Sequence, residues 1–489
     1  MVWISLLAHF ESKEVCSIKG CSCENDSGYD YVTCFFDSPH DLEVNNEIQQ
    51  KYDIEVIDTF TLRLGSNISS IENIFKGLSI NILFMDASNL RSLHQNLFNS
   101  IKSIKNIYLS NNFLTHLNFS EFDDNFKNSI QSIVLKNNSL NRIPPLTQLN
   151  NLNYMDLSSN RIWDLSALQD CHSPLETLDL SNNYVTHLHY NFSTKLQKCL
   201  STLILNSNGI AQVNNLSNLD QLSNLQLSRN FLEHLTADAL QHLPLLTHLD
   251  LSHNKIKTMA NNTFDSVKEL SLLDLSFNKI EFLQVDLFSN LKKLQKLFLQ
   301  SNSIRVVDFS VFNNQKLLYV LDLSGNQIER MDLDKASNFT NLQLLRLSEN
   351  RLESIDYQKM FSTMGSIRML YLENNYLDQM PKYLGSLIKL DMSNQHDRLT
   401  IIPDSAFSRY DTSVLLRLNL SKNHSLKFSN RSFCINQKRS DFNYFMDLVL
   451  SSDTLASIDK CVLKQLSSSH RRVRIFTENA NEENGKICD

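Results

Sequence analysis

Residues 245–259 read LLTHLDLSHNKIKTM, and the phrase returns at 270–283 (LSLLDLSFNKIEFL), 318–331 (LYVLDLSGNQIERM) and 342–355 (LQLLRLSENRLESI). All four follow L-x-x-L-x-L-x-x-N-x-L. The asparagines of the series, Asn230, Asn254, Asn278, Asn302, Asn326 and Asn350, stand 24 residues apart. In each phrase L-x-L alternates apolar and polar with period two, so it predicts a short strand whose leucines point inward and whose intervening residues point out. The asparagine falls where the chain leaves the strand. Its amide carries an acceptor and two donors, enough to satisfy backbone groups of its own turn and a neighbouring one that burial would leave unpaired. One such unit cannot bury its leucines alone. Stacked neighbours can, which gives a quasi-one-dimensional solenoid with a continuous core.

Carried outward, the register places ladder positions at Asn67, Ser88, Asn112, Asn138, Asn160, Asn183 and Asn208 before the central series, and at Asn375, Gln395 and Asn423 after it. That is about sixteen repeats. Spacing is uneven around MSNQHDRLTIIP, so a local irregularity is expected near Gln395 to Pro403. About ten residues past most ladder positions comes a phenylalanine: Phe98, Phe264, Phe288, Phe312, Phe339, Phe361 and Phe407. Because it recurs with the repeat, we read it as a stacked spine filling the side of the core opposite the strands.

The chain has 489 residues, of which 42% are hydrophobic and 20% charged, with a formal charge of -7. A repeat array escapes the size limit on a single core because it grows by stacking, so the expected organisation is one long array. Residues 1–14 read as a clipped or atypical signal peptide, apolar at Met1 to Phe10 but without a basic n-region. Residues 15–55 read as a cysteine-rich N-terminal cap, 56–426 as the repeat array and 427–489 as an atypical cysteine-containing C-terminal cap. No stretch reaches the roughly 18 apolar residues of a membrane span. The nine cysteines crowd the ends: Cys16, Cys21, Cys23 and Cys34 at one, Cys434, Cys461 and Cys488 at the other, with Cys171 and Cys199 in adjacent repeats between. Open ends of a solenoid need capping, and disulfides stabilise small caps, so these residues read as disulfide formers in an exported chain. An odd number leaves one thiol to pair with another chain or stay free. Among the N-x-S/T sequons, Asn118, Asn191, Asn261 and Asn338 fall outside the strands and are the glycosylation candidates.

The repeats resemble those of extracellular leucine-rich-repeat proteins, the group of Toll-type receptor ectodomains, chaoptin and Slit. The segment CSIKGCSCENDSGYDYVTC, Cys16 to Cys34, is similar to their N-terminal cap. The resemblance spans residues 16 to 430 and implies an α/β solenoid: a leucine-rich-repeat horseshoe with a parallel β-sheet on the concave face and cysteine-rich caps. At the C-terminus the chain departs from the group, since only Cys434 stands where a Cys-x-Cys pair is usual.

For function, the residues between the inward leucines form columns on the strand face. Aspartate is common in one column and reads as structural or solvating. The apolar entries are less expected, and Leu272, Phe277, Phe298, Val320, Leu344, Met369 and Tyr371, flanked by Lys296 and Arg346, make a patch with aromatic anchors and a polar rim, the composition of a partner-binding hot spot. No Gly-rich phosphate loop or nucleophile elbow is present, and the chain has nine glycines, so no enzyme and no cofactor is expected. Nothing points to nucleic acid. The expected function is an extracellular recognition module for a protein or glycan partner, of the Toll-like or immune ligand-binding kind, as ectodomain or soluble factor. The alternatives are an adhesion or matrix protein and a non-catalytic subunit of a secreted enzyme, with a homodimer or disulfide-linked partner also open.

Overall fold

The structure, a computed structural model, describes residues 21–26, 29–36, 56–64, 75–93, 95–98, 101–188, 194–213, 216, 219–337, 339–382, 384, 387–403, 416–429, 432, 444–459, 471–477 and 486–487. The chain divides into two compact units, Met1–Gln226 and Leu227–Asp489, the boundary falling inside the repeat array.

In the first unit, strands Cys21–Asp26 and Tyr29–Phe36 form an antiparallel hairpin closed by a Cys21–Cys34 disulfide. The second of these strands pairs in parallel with Val56–Leu64, and from there every strand lies parallel to the next in sequence, through Ser79–Phe84, Ser103–Tyr108 and four strands of three residues to Asn224–Gln226. The cysteine-rich segment is thus joined to the sheet as a terminal cap. Cys171 is wholly buried. Cys199, at the end of the short helix Thr194–Cys199, is a free thiol, which corrects the expectation of a disulfide there. Cys23 lies in the first strand, and Cys16, Cys434, Cys461 and Cys488 lie outside the described residues.

The second unit continues the plan. Three-residue strands from His248–Asp250 to Lys389–Asp391, followed by Leu416–Asn419, pair in parallel and in strict register. The segment after residue 426, expected as a cap, extends the same sheet. Tyr444–Leu450 pairs in parallel with Leu416–Asn419 and with Arg471–Thr477, and Lys486–Ile487 pairs antiparallel with the latter. The Arg474 guanidinium forks onto Asp447 at 2.7 and 2.8 Å, tying these two strands together.

The physical basis of the stack is the ladder. The Oδ1 of Asn278 accepts from Ile256 N at 2.9 Å, while its Nδ2 donates to Leu251 O of the preceding coil at 2.9 Å and to Leu275 O of its own at 3.0 Å. The neighbouring turn reached by the amide is therefore the one before it. Asn302, Asn326 and Asn350 repeat the pattern. Ser88 keeps one bond to the preceding coil, from Oγ to Leu62 O, and Gln395 spans the gap from Nε2 to Leu372 O. The residue before each described ladder position turns back with positive φ, from Ala87 and Asn111 to Asn394 and Lys422. A polar or small residue tolerates this best. At Gln395 the irregularity takes the form of further positive φ at His396 and Asp397.

Inside, the strand leucines are buried to within 1% exposure from Leu249 to Leu418, each worth roughly 2 kcal/mol of apolar burial. On the opposite side Phe264, Phe288 and Phe312 stack with centroids 5.9 and 6.0 Å apart, and Phe98 meets Phe126 at 4.8 Å. Two spine assignments need comment. At Tyr357–Thr363 the chain forms a helix that buries Met360 in place of the expected Phe361, which is half-buried; Phe407 lies outside the described residues. Helix is otherwise sparse, and most return segments are turns.

Candidate functional site

The strand register of the second unit aligns two outward columns. One runs His248, Leu272, Lys296, Val320, Leu344, Met369, Lys389 and Arg417; the other runs Asp250, Asp274, Phe298, Asp322, Arg346, Tyr371, Asp391 and Asn419. The candidate residues Leu272, Lys296, Val320, Leu344 and Met369 occupy consecutive places in the first column. Phe298, Arg346 and Tyr371 stand in the second, with Asp322 between Phe298 and Arg346. Each of these candidates is half-buried, and Asp322 is buried. Phe277 is not on a strand. It occupies the positive-φ position of the turn after Leu272–Asp274, 46% exposed, with its ring stacked on His253 at 4.2 Å.

The aspartates of the second column have a local task. Asp250 accepts from Ser252 N at 2.9 Å, Asp274 from Ser276 N at 2.9 Å, Asp322 from Ser324 N at 3.0 Å and Asp391 from Ser393 N at 3.1 Å. In the first unit Asp156 and Asp179 do the same for Ser158 and Ser181. Each Asp-x-Ser triplet closes its own turn and presents little to a partner. Burial pushes the Asp274 carboxyl above its ordinary range; its bonds to Ser276 oppose that, Asp250 adds to it and His253 eases it.

In these second-unit columns three coils replace the triplet with residues that cannot make its turn bond, Phe298-x-Gln300, Arg346-x-Ser348 and Tyr371-x-Glu373, while Asn419-x-Ser421 keeps that bond through its amide. The large side chains so introduced form a connected group. Arg346 holds Asp322 at 3.1 Å and lies 5.3 Å from the Tyr371 ring centre, and Lys389 reaches the same ring at 4.6 Å. Arg346 is therefore clamped within the patch rather than standing at its rim. Lys296, 5.8 Å from the Tyr319 ring, borders the other side. Gln300, Ser348, Glu373 and Lys389 belong with this group, although reading the columns one at a time does not reveal it. The signal was the paired departure from Asp-x-Ser.

Of the glycosylation candidates, Asn261 is exposed in a turn. Asn118 is half-buried; its Oδ1 accepts from Ser120 N, and its Nδ2 donates to Glu121 at 2.7 Å. Asn191 and Asn338 lie outside the described residues.

Residues 220–280, 268–328 and 316–377 match the leucine rich repeat family. The fold is a leucine-rich-repeat solenoid. No curated protein matches the chain in sequence. Among solved structures, the chain resembles a chain of the Toll–Spatzle complex of Drosophila, with 15% identity, 96% of this chain and 75% of that chain covered, and a TM-score of 0.63. It also resembles the APL1 leucine-rich-repeat domain (20% identity, 69% and 86% covered, TM-score 0.55) and a leucine-rich-repeat protein of Leptospira interrogans (22%, 71% and 91%, 0.52). At these identities the likeness is one of fold. Among the described residues no helix is long and apolar enough to cross a membrane.

Proposed function

We propose that this leucine-rich-repeat protein is a non-catalytic extracellular recognition module that docks a protein partner on the strand face formed by Leu272, Lys296, Phe298, Val320, Leu344, Arg346, Met369 and Tyr371, with Phe277 at its edge. The observation that carries the reading is the local exchange of self-satisfied Asp-x-Ser triplets for Phe298, Arg346 and Tyr371. Such an exchange gives up turn hydrogen bonds for aromatic and guanidinium surface, the side chains most often found at energetic centres of interfaces. The complex named for the Toll structure gives the reading a precedent in fold. A cysteine-rich disulfide cap and an exposed sequon at Asn261 suit a secreted, glycosylated chain.

Phe298→Asp tests this cleanly, because Asp274 and Asp322 occupy the same column on either side. The variant is expected to keep its thermal midpoint within about 3 °C of wild type. Combined with Leu344→Arg, it should lose a partner that the wild-type bait captures from extracellular fluid or cell surfaces. Equal capture by the folded variant would remove this face as the docking site.

A further inference from the structure

Five buried side-chain atoms among the described residues have no hydrogen-bond partner, and three of them are Gln300 Oε1, Ser348 Oγ and Glu373 Oε2. These are the third residues of the three second-unit triplets, from Asp250 to Asn419, whose first residue is neither aspartate nor asparagine. Buried polar groups are nearly always paired, and leaving one unpaired costs about 1–3 kcal/mol, more for a charged group. Their coincidence with Phe298, Arg346 and Tyr371 therefore marks a place where something other than this chain completes the bonding. Glu373 is the most demanding of the three, since a carboxylate accepts only, and it is half-buried on a coil next to Ser348. Ser348 favours the charged form of Glu373.

We propose that Glu373 is the receiving site for a cationic side chain of the partner, an arginine or lysine that inserts beside Tyr371 and draws the carboxyl outward into a charge-assisted hydrogen bond. The inference rests on the strand face being the docking surface. Charge supports it. Around Tyr371 the acids Asp322, Glu373 and Asp391 face the bases Arg346 and Lys389, so one added cation completes the set. Asp391 is already committed to Ser393 and Asn419, and Asp322 to Ser324 and Arg346. Glu373 is the acid that these bonds leave over.

The carboxyl of Glu373 is raised above its ordinary range by burial first and by Asp391 second, against its own amide, Ser348 and Lys389. Arg346 and Glu349 stand on the preceding coil. A raised folded-state value means that the cost of ionising Glu373 is absent below the ordinary carboxylate range and present in full above the folded value. Two consequences follow. Glu373→Gln should raise the thermal midpoint at pH 7, and that gain should vanish near pH 4. Cation binding should strengthen from pH 4 to pH 7, as the carboxylate forms.

The test uses N-acetyl-arginine amide and its uncharged citrulline counterpart as probes of the full chain, followed by ligand-observed NMR. Wild type is expected to bind the arginine compound, weakly at pH 4 and more tightly at pH 7, and to discriminate against citrulline. Glu373→Gln should lose about tenfold in affinity while melting no lower than wild type, and Asp334→Asn, an exposed acid elsewhere, should change nothing. Equal binding of both probes, or by Glu373→Gln, or no binding by wild type, overturns the inference. The two readings separate: if Phe298→Asp loses a captured partner that Glu373→Gln retains, the face binds but not through this carboxylate. If neither variant loses it, the face itself is wrong.

Discussion

Replacing Asn302 by alanine is expected to lower the stability of the second unit by about 4 kcal/mol, from the sum of unpaired backbone groups it creates. The amide receives Ile280 N at 3.0 Å and donates to Leu275 O at 2.9 Å and Leu299 O at 3.0 Å. Asn302 is 7% exposed, so water does not replace it. Loss of one donor and two acceptors from satisfaction costs roughly 1–3 kcal/mol each, less what the coil recovers by relaxing. Asn302→Ser should fall between wild type and alanine, as the single inter-coil bond of Ser88 suggests. Urea unfolding followed by circular dichroism reads the order directly. Alanine equal to wild type would mean that the ladder is decoration rather than support. Because the amide joins its own coil to the one before it, the damage should spread into that preceding coil, which hydrogen exchange at Ile280 would record.

Phe288→Ala should cost a similar amount, about 3–5 kcal/mol. The ring is wholly buried between Phe264 and Phe312, and its carbonyl receives Gln315 Nε2 at 2.6 Å, so the coil has little freedom to collapse into the void. Phe288→Leu should recover more than half of the loss, since most of the volume returns. The two substitutions probe opposite sides of the same coil stack. Their sum should be less than additive if one coil melting already removes both contacts, a measurement made by the double variant in the same urea series.

The ladder, the strands and the spine were legible because each is a periodic requirement: one residue type at one spacing for one physical reason. Legibility failed where the reason was local. Met360 replaces Phe361 because the chain there winds into a helix capped by Asp356, which turns a different side of the segment inward. Past residue 426 a hydroxyl makes an inter-coil bond of the ladder's kind. Thr454 Oγ1 donates to Asn423 O at 3.1 Å and meets Ser451 Oγ at 3.3 Å, a bond that no asparagine motif announces. At the candidate face, single columns revealed the apolar entries and hid their context. Arg346 looks like a rim charge until the register brings Asp322 and Tyr371 to it from either side. Gln300 and Glu373 look like ordinary polar surface until the Asp-x-Ser bond is known, after which their missing partners become conspicuous.

The antiparallel strands at the two ends of the described sheet bear on how copies of this chain meet one another. A parallel ladder has a direction, and a bare edge at each end would accept another copy's opposite edge and continue head to tail into a filament. Here Cys21–Asp26 runs against Tyr29–Phe36, and Lys486–Ile487 runs against Arg471–Thr477. Each end thus offers an incoming copy a strand of reversed polarity. At these two strands a copy that continued the parallel ladder would have to pair with a reversed edge rather than a matching one.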